Sequence, residues 1–292
     1  MKIPTVFLIL LGYLFLALAV PVADAHPPLD VIVSIPPQQW LVDRIGGNAV
    51  HSEILVTAGQ DPHSFEPRPR QIAYLAKARL YFTIGLPFEE ALREKIVDAQ
   101  MPVRFVDCAA GVTKIPFGRY EAGHGDGDDD PHVWLSLAGL AVMAKNIAEA
   151  LAAADPANSR LYAENLAQLQ KELIALDERI AARLKPFAGA VFYTFHPSFG
   201  YFAHDYGLIQ EAVEIEGKSP TPKQLQHLIA AARKDGARVI FSQPQFDPKS
   251  AEAVARAIGG QVIPLDPLAY DAAANLNLIA DNIAAALSGR HE

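Results

Sequence analysis

Short apolar runs alternate with amphipathic segments along the first part of the chain. The runs contain β-branched and aromatic residues, and the segments between them carry apolar residues at helical spacing. Strands that alternate with helices are typical of βαβ units and a parallel sheet. The predicted strands are Asp30–Ile35, Glu53–Val56, Arg79–Ile84 and Val103–Asp107, and the predicted helices are Gln38–Ile45, Arg70–Ala78 and Glu89–Ala99.

The same alternation returns in the last part of the chain. One helix there has a well-marked start, because Thr221 can cap it, Pro222 suits the first helical position and Gln224 completes a capping box. The predicted strands are Val191–Phe195, Ala212–Ile215, Val239–Gln243 and Val262–Leu265, and the predicted helices are Phe199–Tyr206, Lys223–Lys234 and Ser250–Ile258.

Two helices are predicted between these halves. Residues 137–186 are rich in Ala, Leu, Glu, Gln and Lys at helical spacing, and Asp155-Pro156 interrupts the pattern. The helix that begins at Pro156 is expected to end near Arg183, a length of about 42 Å at 1.5 Å per residue. A coiled-coil arm is the alternative, but the alanines of this helix favour close packing on a domain surface.

These elements predict an α/β fold of two similar lobes. Each lobe has a parallel β-sheet flanked by helices, and the long helix bridges the two. We expect the N-terminal lobe at residues 26–155, the bridging helix at 156–186 and the C-terminal lobe at 187–292.

The first 25 residues have the pattern of a secretory signal peptide. Lys2 supplies the positive charge, Val6–Val20 is an almost unbroken apolar run, and Ala23-Asp24-Ala25 has the small-x-small form of a cleavage site. An uncleaved anchor is disfavoured, because a membrane span needs roughly 20 apolar residues. We expect cleavage after Ala25.

The cysteine count and the net charge indicate the cellular compartment of the protein and the type of ligand that it binds. Cys108 is the single cysteine, which excludes an internal disulfide and leaves no cysteine after the signal peptide to carry a lipid. The formal net charge of −8 argues against nucleic acid, whose phosphates require a basic surface. These features fit a soluble periplasmic protein, and the negative charge is compatible with a cation as ligand.

Four side chains that can bind a metal lie close to the predicted strands. His63 and His132 belong to the first half of the chain, and His196 and Asp266 each stand at the end of a strand in the second half. Ligands of open α/β sheets bind at the carboxyl ends of strands, so we expect these four residues to converge between the lobes. Because they are far apart in sequence, a bound metal would favour the closed arrangement of the lobes.

Three imidazoles and one carboxylate suit zinc in a tetrahedral site. Four protein donors would saturate one tightly bound Zn²⁺ and leave no coordination position for a substrate. A histidine taken alone is weak evidence, because most histidines are surface or hydrogen-bonded residues. The histidines not assigned to the site are His26, His51, His124, His204, His227 and His291.

A glycine- and aspartate-rich segment at residues 121–130 is expected to form an exposed acidic loop. Its alternating aspartates resemble a calcium-binding loop, but the glycine at the sixth place is missing and Leu137 stands where the twelfth residue should be Glu. An EF-hand is therefore disfavoured. His124 on this loop is either a solvated residue or a weak first contact for the metal.

The segments around the four candidate ligands resemble one family, the metal-specific solute-binding proteins of ABC transporters, and in particular its zinc-uptake, ZnuA-like branch. This resemblance covers nearly the whole mature chain. It implies two lobes bridged by a long helix, modest closure on metal, and delivery of Zn²⁺ to a membrane permease rather than catalysis. We expect a monomer, and a metallochaperone as a further partner stays open. The segments are Asp61–Pro67, Asp130–Ser136, Phe195–His196 with Tyr201-Phe202 and Tyr206-Gly207 following, Phe241–Phe246 and Leu265–Leu268.

Manganese is the alternative metal within this family. Manganese-binding relatives tend to have a carboxylate where this chain has His196, and imidazole favours zinc over the harder manganese ion. The chain departs from the zinc branch in its short, histidine-poor acidic loop. It also has Pro62 where some zinc relatives have an acidic residue, which favours Asp266 as the fourth donor.

Two alternatives come from other functional classes. A secreted zinc hydrolase would need an open metal position and a general base, for which Glu66 is the nearest candidate. A cap or salt bridge is the simpler role for Glu66, and the sequence has no His-Glu-x-x-His or Gly-x-Ser-x-Gly motif. A surface adhesin is the second alternative, and the complete set of four donors argues against it as the primary role.

Overall fold

A computed structural model describes residues 27–116, 129–214 and 221–289. The signal peptide predicted at residues 1–25 lies outside these ranges, as do residues 121–128 of the acidic loop. Cleavage after Ala25 and the role of His124 therefore stay predictions.

The first lobe contains a parallel four-stranded sheet with the strand order β2-β1-β3-β4. The inner strands β1 and β3 are largely buried, as expected where helices cover a parallel sheet. The strands are β1 (Leu29–Val33), β2 (Val50–Ile54), β3 (Leu80–Thr83) and β4 (Arg104–Asp107), and the helices are α1 (Pro36–Gly46), α2 (Pro69–Leu75) and α3 (Pro87–Asp98).

The second lobe repeats this topology with the strand order β6-β5-β7-β8, again with every pairing parallel. The capping box at Thr221 forms, since the Thr221 hydroxyl accepts from the backbone N–H of Gln224 and the Gln224 side-chain oxygen accepts from the backbone N–H of Thr221. The strands are β5 (Val191–Thr194), β6 (Ile209–Ala212), β7 (Val239–Ser242) and β8 (Gln261–Pro264), and the helices are α6 (Gly200–Asp205), α7 (Pro222–Lys234), α8 (Lys249–Ile258) and α9 (Ala272–Leu287).

Two helices connect the sheets, α4 (Leu137–Ala154) and α5 (Ser159–Leu184). Helix α4 is long and apolar enough to cross a membrane, but half of it is buried, as in the core helix of a soluble protein. Helix α5 packs against α1 of the first lobe and α9 of the second. Two ion pairs connect α5 to its neighbours: Arg44 of α1 pairs at 2.6 Å with Glu172 in the middle of α5, and Arg183 in its last turn pairs at 2.7 Å with Asp281 of α9.

The predicted α/β fold of two parallel-sheet lobes bridged by a long helix is confirmed. The strand predicted at Ala212–Ile215 is misplaced, because β6 begins at Ile209, where it pairs with Val191. Polar residues at positions 210 and 211 interrupt the apolar pattern of β6 and hide it. Helix α9 was not predicted from the pattern; the Asp271 carboxylate caps it, and its apolar face packs on α5.

Candidate metal site

Three histidines converge where the carboxyl ends of the two sheets face each other. His63 follows β2, His132 immediately precedes the short 3₁₀ turn before α4, and His196 follows β5. Their ring centroids lie 5.1 to 5.5 Å apart. One ligand nitrogen from each ring lies within 4.8 Å of the others, a spacing that a single metal ion can bridge. The structure thus brings together three of the four residues selected from the sequence.

Asp-Pro-His turns present two of these histidines. In each turn, the aspartate carboxylate accepts a hydrogen bond from the backbone N–H two residues later. The distance is 2.9 Å both from Asp61 to His63 and from Asp130 to His132. This is an Asx turn, in which an aspartate side chain replaces a backbone acceptor. The proline fixes the backbone between the two residues and directs each histidine into the cleft.

Buried carboxylates orient two of the imidazoles. His132 Nδ1 lies 2.7 Å from Asp130 Oδ1, and His196 Nδ1 lies 2.9 Å from Glu214 Oε2. When the carboxylate is ionised it can only accept, so Nδ1 then carries the proton and Nε2 is available to a metal. His63 Nε2 and His196 Nε2 are buried and have no hydrogen-bond partner among the described residues. Unsatisfied buried nitrogens of this kind fit a site that a cation completes.

Burial holds His63 in the neutral form that binds metals. Burial, followed by the positive charges that His132 and His196 would carry, lowers the pKa of His63 to about 3 against the opposing effect of nearby carboxylates. His63 is therefore neutral at physiological pH, as metal coordination requires. Burial also raises the pKa of Asp130 to about 7, although the N–H of His132 and the neighbouring imidazoles favour its ionised form.

The loop after β7 organises the second-lobe side of the site. The side chain of Gln243 accepts from the backbone N–H of His196 at 3.0 Å and donates to its carbonyl at 2.6 Å. The Phe246 ring stacks on the His196 ring at 4.8 Å. Both contacts hold His196 in place. Neither residue was predicted to support the site, because amides and phenyl rings carry no metal-ligand signal.

Glu214 was also missed, because the predicted strand Ala212–Ile215 placed it inside the sheet. The observed strand ends at Ala212, so Glu214 lies beyond it and reaches the His196 ring. An acidic residue just after the end of a strand was the signal that the sequence offered.

Asp266 is not in the group of ligand atoms that lie within 4.8 Å of one another. Its Oδ1 accepts from the backbone N–H of Leu268 at 2.9 Å and from Gln245 Nε2 at 2.7 Å. The neighbouring residues Pro267 and Leu268 do line the cavity beside the histidines. The role of Asp266 as fourth metal donor stays a prediction.

The cavity at the histidines has a volume of about 10 Å³. This is close to the space that one water molecule needs, so the cavity suits a single ion and not an organic substrate. Trp134 closes one side, and its Nε1–H donates to the carbonyl of Pro267 at 2.7 Å, which joins the two halves of the site. Glu66, the candidate base of a hydrolase, is exposed and does not line this cavity.

Comparisons with known proteins agree with this geometry. A family model described as "Zinc-uptake complex component A periplasmic" matches residues 31–288. A crystal structure of ZnuA superposes with a TM-score of 0.83 at 40% identity, covering 89% of this chain and 99% of the other.

Two relatives of similar identity are named for different metals. The high-affinity zinc uptake system protein ZnuA of Paracoccus denitrificans is 29% identical over 257 residues, which cover 77% of this chain and 78% of the relative. The manganese ABC transporter substrate-binding lipoprotein PsaA of Streptococcus pneumoniae is 29% identical over 226 residues, which cover 74% and 72%. The chain therefore belongs to the family of zinc-uptake complex component A, whose members are metal-binding solute-binding proteins of ABC transporters and not enzymes.

Proposed function

We propose that this protein captures Zn²⁺ between its lobes in the periplasm and delivers it to an ABC-type permease. The observation that carries the proposal is the buried group of three imidazoles, with ligand nitrogens within 4.8 Å of one another. Each ring presents a nitrogen donor, and zinc exceeds manganese in affinity for such sites in the Irving–Williams order. Asp266 is the carboxylate that the sequence offers for the fourth position.

Manganese is the second candidate, because the PsaA relative is named for it. Manganese prefers oxygen donors, and among the described residues no carboxylate belongs to the histidine group. Asp130 and Glu214 contact the outer nitrogens of the rings and not the face that the three histidines share. The donor set therefore favours zinc.

Calorimetric titration of the metal-stripped mature protein with Zn²⁺, and in parallel with Mn²⁺, tests the proposal. We expect one tight zinc site per chain and weak manganese binding. Alanine in place of His63, His132 or His196 should weaken zinc binding at least about 100-fold, since each donor carries a large share of the binding free energy. Substitution of Asp266 by Ala is expected to have a milder effect.

His227→Ala is the matched control, because His227 is exposed on α7 away from the cluster. It should bind zinc as the wild type does. Tight manganese with weak zinc would instead support the manganese alternative, and weak binding of both metals would refute the proposed function.

The proposed location depends on the signal peptide. Export should remove residues 1–25 and leave His26 as the first residue. N-terminal sequencing of the protein recovered from the periplasm measures this directly. An intact Met1 in that fraction would contradict it.

A further inference from the structure

Asp266 stands at the position of a turn-forming aspartate. It begins an Asp-Pro-Leu segment in which its carboxylate accepts from the backbone N–H two residues later, at 2.9 Å. Asp61 and Asp130 make the same contact in the two Asp-Pro-His turns. In this comparison Leu268 stands where His63 and His132 stand, and the aspartate shapes the turn.

A second contact commits the same carboxylate to Gln245. Gln245 Nε2 lies 2.7 Å from Asp266 Oδ1, and the orientation of the amide is set by chemistry, because a carboxylate accepts from an N–H and repels a carbonyl oxygen. The amide oxygen of Gln245 must therefore point away from Asp266.

That oxygen is buried and has no hydrogen-bond donor among the described residues. Gln245 lines the same small cavity as the three histidines, whereas Asp266 does not. The cavity wall thus combines the unsatisfied Nε2 atoms of His63 and His196 with two unsatisfied oxygens, Ser198 Oγ and Gln245 Oε1, and only the second belongs to a group that a carboxylate orients. A buried acceptor left without a partner is costly, and a cation in the cavity offers the Gln245 oxygen such a partner.

We infer that the amide oxygen of Gln245 is the donor that contacts the cation on the second-lobe side, and that Asp266 acts through Gln245 as a positioning residue. The inference rests on the proposed function, because it concerns the same site. The negative charge of Asp266 stabilises the polarised amide and so makes its oxygen a stronger donor. The next residue, Phe246, stacks on His196 and keeps the loop close to the site.

A double-mutant cycle on zinc affinity tests the inference. Gln245→Leu removes the oxygen and should weaken zinc binding about 10- to 100-fold. Asp266→Ala should weaken it by a similar or smaller factor, because the amide loses its partner. The double variant should be no weaker than Gln245→Leu alone, since a residue that acts only through another adds no further loss. Gln261→Leu is the matched control, an exposed glutamine on β8 that should bind as the wild type.

Two measurements separate a contact with the ion from a structural effect. Thermal unfolding of the metal-stripped variants should show that they fold. In the wild type, ¹H–¹⁵N NMR should show that Zn²⁺ shifts the side-chain NH₂ signals of Gln245, which are identified by their loss in Gln245→Leu. Signals that do not move on zinc binding would refute the contact even if a variant failed to fold.

Other results of the zinc-affinity measurements would show that Gln245 does not contact the ion. If the losses of zinc affinity in the two single variants multiply in the double variant, Asp266 binds the ion directly and the inference is wrong. The same conclusion follows if Asp266→Ala loses much affinity and Gln245→Leu loses none. No loss in either variant would assign the fourth position to solvent, and the inference would again be wrong. In each of these cases the three-histidine site stands, whereas failure of the wild type to bind zinc would remove the proposed function itself.

Discussion

Acid should destabilise the metal-stripped protein through His63. Burial and the neighbouring imidazoles lower the pKa of this histidine from 6.5 to about 3 in the folded state. Between these two values the unfolded chain binds a proton at His63 that the folded protein does not. The contribution of His63 to stability must then rise with pH across this window and fall as pH decreases below 6.5.

The size of the effect follows from the shift. Each pKa unit corresponds to about 1.4 kcal/mol, so acidification from pH 7 to pH 5 should cost about 2 kcal/mol through His63 alone. Asp130, whose pKa burial raises to about 7, titrates in the same range with the opposite sign, so the effect of His63 is measured as the difference between the wild type and a His63 variant. A loss of about 2 kcal/mol is a large fraction of the stability of a typical domain. Denaturant unfolding can measure a difference of this size.

The assay is urea unfolding in the presence of a chelator at pH 7 and pH 5. We compare the wild type with His63→Gln, which keeps a polar side chain of similar reach but cannot be protonated, and with His227→Gln as an exposed control. The wild type and the control should lose about 2 kcal/mol more than His63→Gln between the two pH values. Equal losses in all three proteins would refute the reasoning, because His63 would then be as readily protonated in the fold as in the unfolded chain.

Three further predictions concern the groups that position the ligands. Asp130→Asn and Glu214→Gln should each weaken zinc binding about 10- to 100-fold by calorimetry, since they remove the charge behind His132 and His196, and unchanged affinity would contradict the orienting role. Gly200→Ala should also weaken zinc binding, because a Cβ there would lie 2.3 Å from Asp130 Oδ2, whereas Ala203→Gly on the same helix should lower helix stability without this effect on affinity. Trp134→Phe should lower the free energy of unfolding by about 1–3 kcal/mol in urea titrations, because it leaves the carbonyl of Pro267 without its donor, and a stability equal to that of the wild type would show that this bond contributes nothing.

Local sequence patterns determined the fold class. The alternation of apolar runs with amphipathic segments predicted two parallel sheets, because buried parallel strands need continuous apolar residues and their crossovers need helices. The proline at position 156 predicted the break between α4 and α5. The pattern failed where tertiary pairing overrides it, as in β6, whose polar residues are paired by β5.

The ligand types were also readable from the sequence. Histidines that follow strands or stand in Asp-Pro-His segments have few roles other than metal binding when several occur together, and the structure brings His63, His132 and His196 to one point. The sequence does not distinguish Asp266 from these histidines, because Asp266 also follows a strand.

Only the tertiary structure decided how the site is supported. Glu214 behind His196, Gln243 on its backbone and the hydrogen bond from Gln245 to Asp266 all join residues from different strand ends. Local propensity cannot encode such contacts, since they depend on the order of strands in the sheet and on how the two lobes face each other. The sequence by itself therefore determined which atoms could bind a metal, and the packing of the lobes decided which of them meet and which are already engaged by a neighbour.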